Sequence, residues 1–452
     1  MIELEGKTVL IVGAGKSGVS AAKFLLGRGV KKIILSDTKP KSKLEAEALE
    51  LEKKGVELET EGHRDASFLE ADIIILSPGV PIQEKWREVA AKYNKLLVGD
   101  VEFASQFIDA KIVAITGTNG KTTATTLMYE IMKAQLGDKV RLAGNIGIPF
   151  CDILMESGKP EYIVIEISSF QLEAIKDFKP EVAVILNVTD DHLDRYRTMQ
   201  EYAEAKANIF RNQGPGEHLI LNMDDKFTNI MTSMARSTKH FFSAYRQVDN
   251  GYYFDGEDFI KSTGGIKEKL FSAGSIKLIG RHNYENVMAC IMASDLLKLD
   301  RAGAIAVIQN FSGLHHRIEF IGEANGIKCY DDSKGTNVDA VLKALDTFDE
   351  GLALILGGRE KGTDFTPILN ALKPSVKAII ALGENREKIY SIFAQKLPVF
   401  QAASMEEAVG LGLKVPGIGV LLLSPACASF DLFKNYAHRG DEFKKYVLKA
   451  AA

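Results

Sequence analysis

The chain of 452 residues lacks most of what marks a secreted, membrane-spanning or nucleic-acid-binding protein. Its four cysteines, Cys151, Cys290, Cys329 and Cys427, are scattered, and no two form a C-x-x-C pair. That spacing argues against a zinc site or a disulfide framework and predicts buried thiols in a reducing cytoplasm. No apolar run approaches the ~20 residues that a membrane-spanning helix needs. The opening "MIELEGKTVLIVGAG" carries charge at once and then reads as a strand, so no signal peptide is expected. A net charge of -4 and the want of any long basic run predict neither a nucleic-acid groove nor a membrane patch. Low-complexity tracts and fixed-period repeats are also missing.

What is present is ordinary for a globular protein, 46% hydrophobic and 26% charged. At ~150 residues per domain the length suggests about three domains. Strand-like runs alternate with helix-like segments in three series. The first holds "TVLIVG" (8–13), "KIILSD" (32–37) and "DIIILSPG" (72–79). The second holds "IVAITG" (112–117), "YIVIEIS" (162–168), "VAVILNV" (182–188) and "HLILN" (218–222). The third holds "LALILGG" (352–358), "AIIALG" (378–383) and "GVLLLSP" (419–425). Continuous Val/Ile/Leu runs suit strands covered on both faces, and alternation with helices suits parallel sheets. The expected fold is α/β with three domains, at 1–100, 101–312 and 313–452. Residues 240–280, rich in glycine and aromatics, read as small antiparallel strands within the central domain.

Two glycine loops carry chemistry. Gly13-Ala14-Gly15-Lys16-Ser17-Gly18 is a G-x-G-x-x-G between a strand and a helix, and Asp37 follows at the end of the next strand. This pattern seats a diphosphate on a helix N-terminus with an acid near a ribose. It is met as well by a nucleotide-sugar diphosphate as by NAD, and alone it would suggest a dehydrogenase. The second loop, "TGTNGKTT" (116–123), resembles G-x-x-x-x-G-K-[ST] but has Ile115 where the first glycine belongs. Its backbone can still surround phosphate oxygens, with Lys121 for the β/γ-phosphates and Thr122 for Mg²⁺.

Other residues are less specific by themselves. Glu166 closes the strand of "YIVIEIS" and reads equally as a metal-site acid or a surface carboxylate. His192 lies just past "VAVILNV", beside Asp190, Asp191 and Asp194, at a strand end where ligands bind. A lone histidine there is as often a capping residue as a ligand. Lys206, in the helical "EYAEAKANIF", reads as a solvated charge.

In combination the motifs are specific. "TGTNGKTT", "GNIG" (144–147), "EISSFQLE", "NVTDDHLDRY", "GRHNYENVMA" (280–289), "HHRIE" (315–319), "DDSKGTN" (331–337) and "LSPACASFDLFKNYAHRG" (423–440) occur in one order along the whole chain. In this the sequence closely resembles the Mur ligases of peptidoglycan synthesis. "DSKGTN" and "SPACASFDLFKN" resemble the D-glutamate-adding branch rather than its siblings or folylpolyglutamate synthetases.

The resemblance implies a UDP-substrate domain, a central ATPase domain and a C-terminal domain for the incoming amino acid. It implies ATP-dependent amide formation between UDP-N-acetylmuramoyl-L-alanine and D-glutamate through an acyl phosphate, in a cytoplasmic monomer. ATP contacts are carried to Gly117, Thr118, Asn119, Gly120, Lys121, Thr122, Thr123, Asn283, Asn286, Arg317 and Asp332. The UDP-muramoyl substrate is carried to Ser17, Asp37, Thr38, Ser77, Asn145 and His192, and D-glutamate to Lys334, Thr336, Lys361, Ser429 and Phe430. Lys121, Glu166, His192 and Lys206 are the implied catalytic set. One Mg²⁺ is implied near Thr122 and Glu166, and a second near His192 and Lys206. For that last role the matching lysine of the family is carbamylated, which turns a cation into an anionic oxygen ligand. A plain dehydrogenase would leave the central loop unexplained, and a non-catalytic nucleotide module would not need the four residues together.

Overall fold

The computed structural model describes residues 2–190, 195–360 and 362–451. His192 and Lys361, together with Asp191 and Asp194, lie outside the described residues. Three sheets are distributed over two compact units. One comprises residues 1–188, 192–272 and 285–308, and the other 189–191, 273–284 and 309–452.

The first unit opens with a parallel sheet of β1 (Thr8–Val12), β2 (Lys32–Ser36), β3 (Glu57–Glu59), β4 (Ile73–Leu76) and β5 (Leu96–Gly99), in the order β3-β2-β1-β4-β5. Successive side chains of a strand point to opposite faces. Val9 and Ile11 accordingly pack with Phe24, Phe103 and Phe150 on one side. Leu10 and Val12 pack with Phe68 and Trp86 on the other. Both faces are covered, so the strand reads as an unbroken apolar run.

The second sheet of this unit contains β6 (Lys111–Thr116), β7 (Val140–Gly144), β8 (Tyr162–Glu166), β9 (Val182–Ile185), β10 (His218–Asn222), β11 (Thr238–Ser243), β12 (Gly251–Phe254), β13 (Asp258–Thr263) and β14 (Ile266–Ser272). Its order is β14-β13-β12-β11-β10-β9-β6-β8-β7. The antiparallel strands expected between 240 and 280 are β12 to β14. They do not form a separate small sheet but extend the central one through the parallel pairing of β11 with β12. The edge of β11 is open to pairing, and Gly251, whose Cβ would collide with the Phe241 carbonyl, lets the next strand lie against it.

The second unit holds β15 (Glu319–Ala324), β16 (Ile327–Asp331), β17 (Leu352–Leu356), β18 (Val376–Leu382), β19 (Val399–Ala402) and β20 (Val420–Leu423), ordered β15-β16-β20-β17-β18-β19. Only the β15–β16 pair is antiparallel. Leu352, Leu354 and Leu356 enter one core, and Ala353 and Ile355 the other. Among the described residues no helix is long and apolar enough to cross a membrane. All four cysteines are buried and free.

Candidate active site

The strand order of the central sheet explains why its motifs meet. β9, β6 and β8 are neighbours, all parallel, so their C-terminal ends form one edge. The loop after β6, Glu166 at the end of β8 and Asn187 just past β9 therefore converge where ligands bind in open α/β sheets. Gly120, with φ +83°, turns the loop into the helix Lys121–Leu136, and a side chain there would run into the Asn286 amide. Asn286, 2% exposed, thus sits directly against the loop.

The loop is held by Asn187. Its Oδ1 accepts from the Thr118 and Asn119 amides at 3.1 and 2.9 Å, and its Nδ2 donates to the Asn119 carbonyl at 3.1 Å. The sequence reading passed over Asn187; its only signal was a polar residue ending an apolar strand. Two lysines lie over the same loop. Lys121 Nζ donates to the carbonyls of Gly117 and Thr118, both at 2.8 Å. Lys206 Nζ donates to Gly117 at 2.9 Å and stands 4.4 Å from the centre of the Tyr202 ring. At 1% exposure Lys206 is not the solvated charge that its helix suggested.

Glu166 is also 1% exposed. Its Oε1 accepts from Asn145 Nδ2 at 2.7 Å, whereas Oε2 is buried without a hydrogen bond. A buried carboxylate oxygen with no donor is costly unless a cation meets it. Thr122, two residues past Gly120, carries a hydroxyl, and carboxylate and hydroxyl oxygens are the donors that magnesium prefers. The residues present therefore fit a magnesium ion. Asn145, implied to face the muramoyl group, is bound to Glu166 through its side chain and through its main-chain amide, the latter donating to the Glu166 carbonyl at 3.0 Å.

The Gly13–Gly18 loop has a different character. It borders a cleft of about 530 Å³ lined by Gly13, Gly15, Lys16, Ser17, Asp37, Thr38, Lys39, His63, Ser77, Pro78, Gly79, Val80, Pro81, Gln83 and Trp86. Ser17, Asp37, Thr38 and Ser77 thus line one cleft. Asp37 is a wall rather than a reaching side chain: its oxygens accept from the Ala14 and Lys39 amides, each at 2.8 Å. Ser77 Oγ donates to the Gly13 carbonyl at 2.9 Å.

In the second unit, "DDSKGTN" and "SPACASF" are joined by Arg439, which the sequence reading did not single out. Its guanidinium, 1% exposed, donates to Ser333 Oγ (2.9 Å), the Ser333 carbonyl (2.7 Å) and the Cys427 carbonyl (3.0 Å). Burial away from any directly bonded carboxylate lowers its pKa to about 10. Asp332 accepts from Ser424 Oγ at 2.7 Å. Burial raises its pKa to about 7, against the opposing pull of the Ser424 hydroxyl and the Arg317 charge. Lys334 Nζ lies 4.8 Å over the Tyr436 ring. Ser429 is buried, Phe430 is 57% exposed and Thr336 is exposed. Asn283 donates to the Ile279 carbonyl at 2.8 Å.

Comparison with known proteins matches three family models in sequence: the MurD-like N-terminal domain of Mur ligases over residues 7–99, the Mur ligase middle domain over 115–294, and the Mur ligase glutamate ligase domain over 316–427. The UDP-N-acetylmuramoylalanine–D-glutamate ligase of Geotalea uraniireducens is 40% identical over 448 residues, 99% of this chain and 98% of that protein. The enzyme of the same name from Pelotomaculum thermopropionicum is 38% identical over 447 residues, 98% of this chain and 97% of that one. Among solved structures, the MurF ligase of Thermotoga maritima in complex with ADP aligns with a TM-score of 0.61 at 16% identity, covering 100% of both chains. MurC of the same organism aligns at 0.57 and 17%, covering 98% of this chain and 100% of that one. At those identities the two structures speak for the fold.

Proposed function

The chain belongs to the Mur ligase family, and from that premise we propose that it joins D-glutamate to UDP-N-acetylmuramoyl-L-alanine at the expense of ATP. Full-length identity of 40% to enzymes named for that reaction supports the choice within the family. The observation that carries the chemistry is the buried, donorless Glu166 Oε2 at the strand edge that also presents the Lys121 loop.

A carboxylate is a poor electrophile because oxide is a poor leaving group. Transfer of the γ-phosphoryl group of ATP to the alanyl carboxylate converts that oxygen into a phosphate leaving group and releases ADP. The amine of D-glutamate then attacks the carbonyl carbon, loses a proton, and phosphate departs as the amide forms. The first step brings two anions together, so positive charge must be fixed in place beforehand. Lys121, held over the loop by the Gly117 and Thr118 carbonyls, offers its charge to the β- and γ-phosphates. Asn187 keeps the loop in shape. Magnesium at Thr122 and Glu166, and a second ion at His192 and a carbamylated Lys206, would supply further charge neutralisation. Carbamylation requires the Lys206 amine to add to carbon dioxide and lose a proton, leaving a carboxylate on nitrogen.

Asn283, Asn286, Arg317 and Asp332 are assigned to the nucleotide, and the Gly13–Gly18 cleft with Ser17, Asp37, Thr38 and Ser77 to the UDP moiety. Lys334, Thr336, Lys361, Ser429 and Phe430 are assigned to D-glutamate, whose two carboxylates call for cations. The boundaries at 100 and 312 set the UDP cleft apart, whereas the nucleotide assignment draws Arg317 and Asp332 from beyond 312. A monomer in the cytoplasm completes the reading. The test is ADP release from the purified protein supplied with UDP-N-acetylmuramoyl-L-alanine and either no amino acid, D-glutamate, L-glutamate, L-alanine or meso-diaminopimelate. Release that depends on D-glutamate alone is expected; dependence on another of these amino acids, or on none, overturns the reading.

A further inference from the structure

We propose that His63 reads the base of the nucleotide substrate, accepting the N3–H of uracil on its Nε2 and so excluding cytosine. The inference rests on the assignment of the Gly13–Gly18 cleft to the UDP moiety.

The argument begins at Glu59, which is 3% exposed. Its two oxygens accept from Ser36 Oγ (2.7 Å), the Arg64 amide (2.6 Å), Arg64 Nε (2.8 Å) and Ser67 Oγ (2.5 Å). Burial pushes this carboxyl upward, but the hydrogen bonds from Ser67, Arg64 and Ser36 outweigh it and hold the group below its usual range. Glu59 is thus a carboxylate and only accepts. The single hydroxyl proton of Ser36 is therefore committed to Glu59. His63 Nδ1 lies 2.7 Å from the same Ser36 oxygen, and with that proton already committed the ring nitrogen must be the donor. The imidazole is fixed as the Nδ1–H tautomer, and Nε2 keeps a lone pair. Burial also lowers the pKa of His63, against the pull of Glu59 and Asp37, which keeps the ring neutral at pH 7. Edge-on contact with Trp86, 5.7 Å between centroids and 81° between planes, sets the orientation of the ring. Trp86 is itself stacked on Phe68 at 4.8 Å. No hydrogen bond to Nε2 is present among the described residues.

The position also fits a base. The glycine loop follows β1, Asp37 to Lys39 follow β2, and His63 follows β3, in the sheet order β3-β2-β1. Strands lie about 4.8 Å apart, so His63 stands about 10 Å along the sheet from the diphosphate end. That is the scale of a nucleoside. All three segments line one cleft. Uracil presents a donor, N3–H, between two carbonyls, whereas cytosine has an acceptor at N3. A fixed acceptor pairs with the first and opposes the second. A site built to hydrogen-bond one partner rejects the analogue that lacks it, because a buried group is left unpaired.

The test is calorimetric titration of the full chain with UDP, 3-methyl-UDP and CDP, repeated on His63→Phe and His63→Gln. Wild-type protein should bind UDP at least tenfold more tightly than either analogue. In His63→Phe the three affinities should converge to within about threefold, chiefly by loss of UDP binding, and His63→Gln, which keeps an acceptor, should restore part of the preference. Equal binding of UDP and CDP by wild-type protein, which requires no variant to fold, overturns the inference while leaving the cleft assignment intact. So does an unchanged preference in His63→Phe. Failure of all three ligands to bind overturns the cleft assignment and the inference with it.

Discussion

The two glycine loops of the first unit sit in the same local setting, strand before and helix after, yet they are built for different tasks. Around Gly13–Gly18 most of the nearby polar groups, His63 Nε2 excepted, are already spent on the protein itself. Asp37 binds the Ala14 and Lys39 amides, Ser77 binds the Gly13 carbonyl, and the buried acid Glu59 is fully hydrogen-bonded. Around Gly117–Thr123 two lysines crowd one carbonyl, and a buried carboxylate oxygen has no donor. The first site is a finished mould for holding a ligand. The second gathers charged groups at one strand edge and leaves Glu166 Oε2 without a donor, a setting suited to chemistry on phosphate anions. A binding site can be satisfied in advance, whereas a reacting site pays in stability for groups that its substrates and ions complete.

The strongest way to break this contrast is Lys206→Ala. If Lys206 serves the reaction, D-glutamate-dependent ADP release should fall by about 10²–10³-fold or more, as when a preorganised electrostatic group is removed. A short carboxylic acid should restore part of it. Full activity in the variant would place Lys206 with the structural residues. Glu166→Gln comes next, and it should separate activity from stability. Turnover should fall by about 10²-fold, while the nucleotide-free protein becomes more stable by about 1–3 kcal/mol, because a buried, donorless charge has been removed. Thermal unfolding with and without Mg²⁺ and ATP measures both sides; destabilisation of the nucleotide-free form would mean that Glu166 is compensated.

At the N-terminal loop the effects should run the other way, through fit rather than charge. A Cβ at Gly18 would run into the Gly13 carbonyl oxygen. Gly18→Ala should therefore cost about 1–3 kcal/mol of stability by overpacking, read as a lower denaturant midpoint. The smallest effect expected is that of Asp37→Asn. The Ala14 and Lys39 amides use different oxygens of Asp37, so the asparagine keeps one acceptor and turns an NH2 donor toward the other amide, at about 1 kcal/mol for the lost hydrogen bond. The change should raise KM for the UDP substrate a few-fold and leave kcat unchanged. A drop in kcat would show that the two loops are not divided between binding and chemistry.

The central strands were legible because burial on both faces writes itself into the sequence as unbroken Val/Ile/Leu. Every strand of the three series is present. The strands that went unread lie mainly at sheet edges or are short. β3 is Glu-Leu-Glu, and β15 carries Glu319 and Glu323 where an inner strand would carry leucine. The placement of β12 to β14 as an extension of the central sheet depended on a free strand edge, which local alternation does not report.

The sequence by itself determined the two phosphate-type loops and the family, because glycine turns and strand-loop-helix junctions are local. Only the tertiary structure decided what single polar residues do. Lys206 meets a carbonyl 89 positions away, Asn187 clamps a loop 68 and 69 positions away, and Arg439 binds Ser333 from 106 positions away. A solvated lysine and a buried one can share the same neighbours in sequence. The free energy that separates them comes from desolvation and from partners brought in by packing, and for His63 even the choice of protonated nitrogen is made through Ser36 on the neighbouring strand β2, whose proton goes to Glu59.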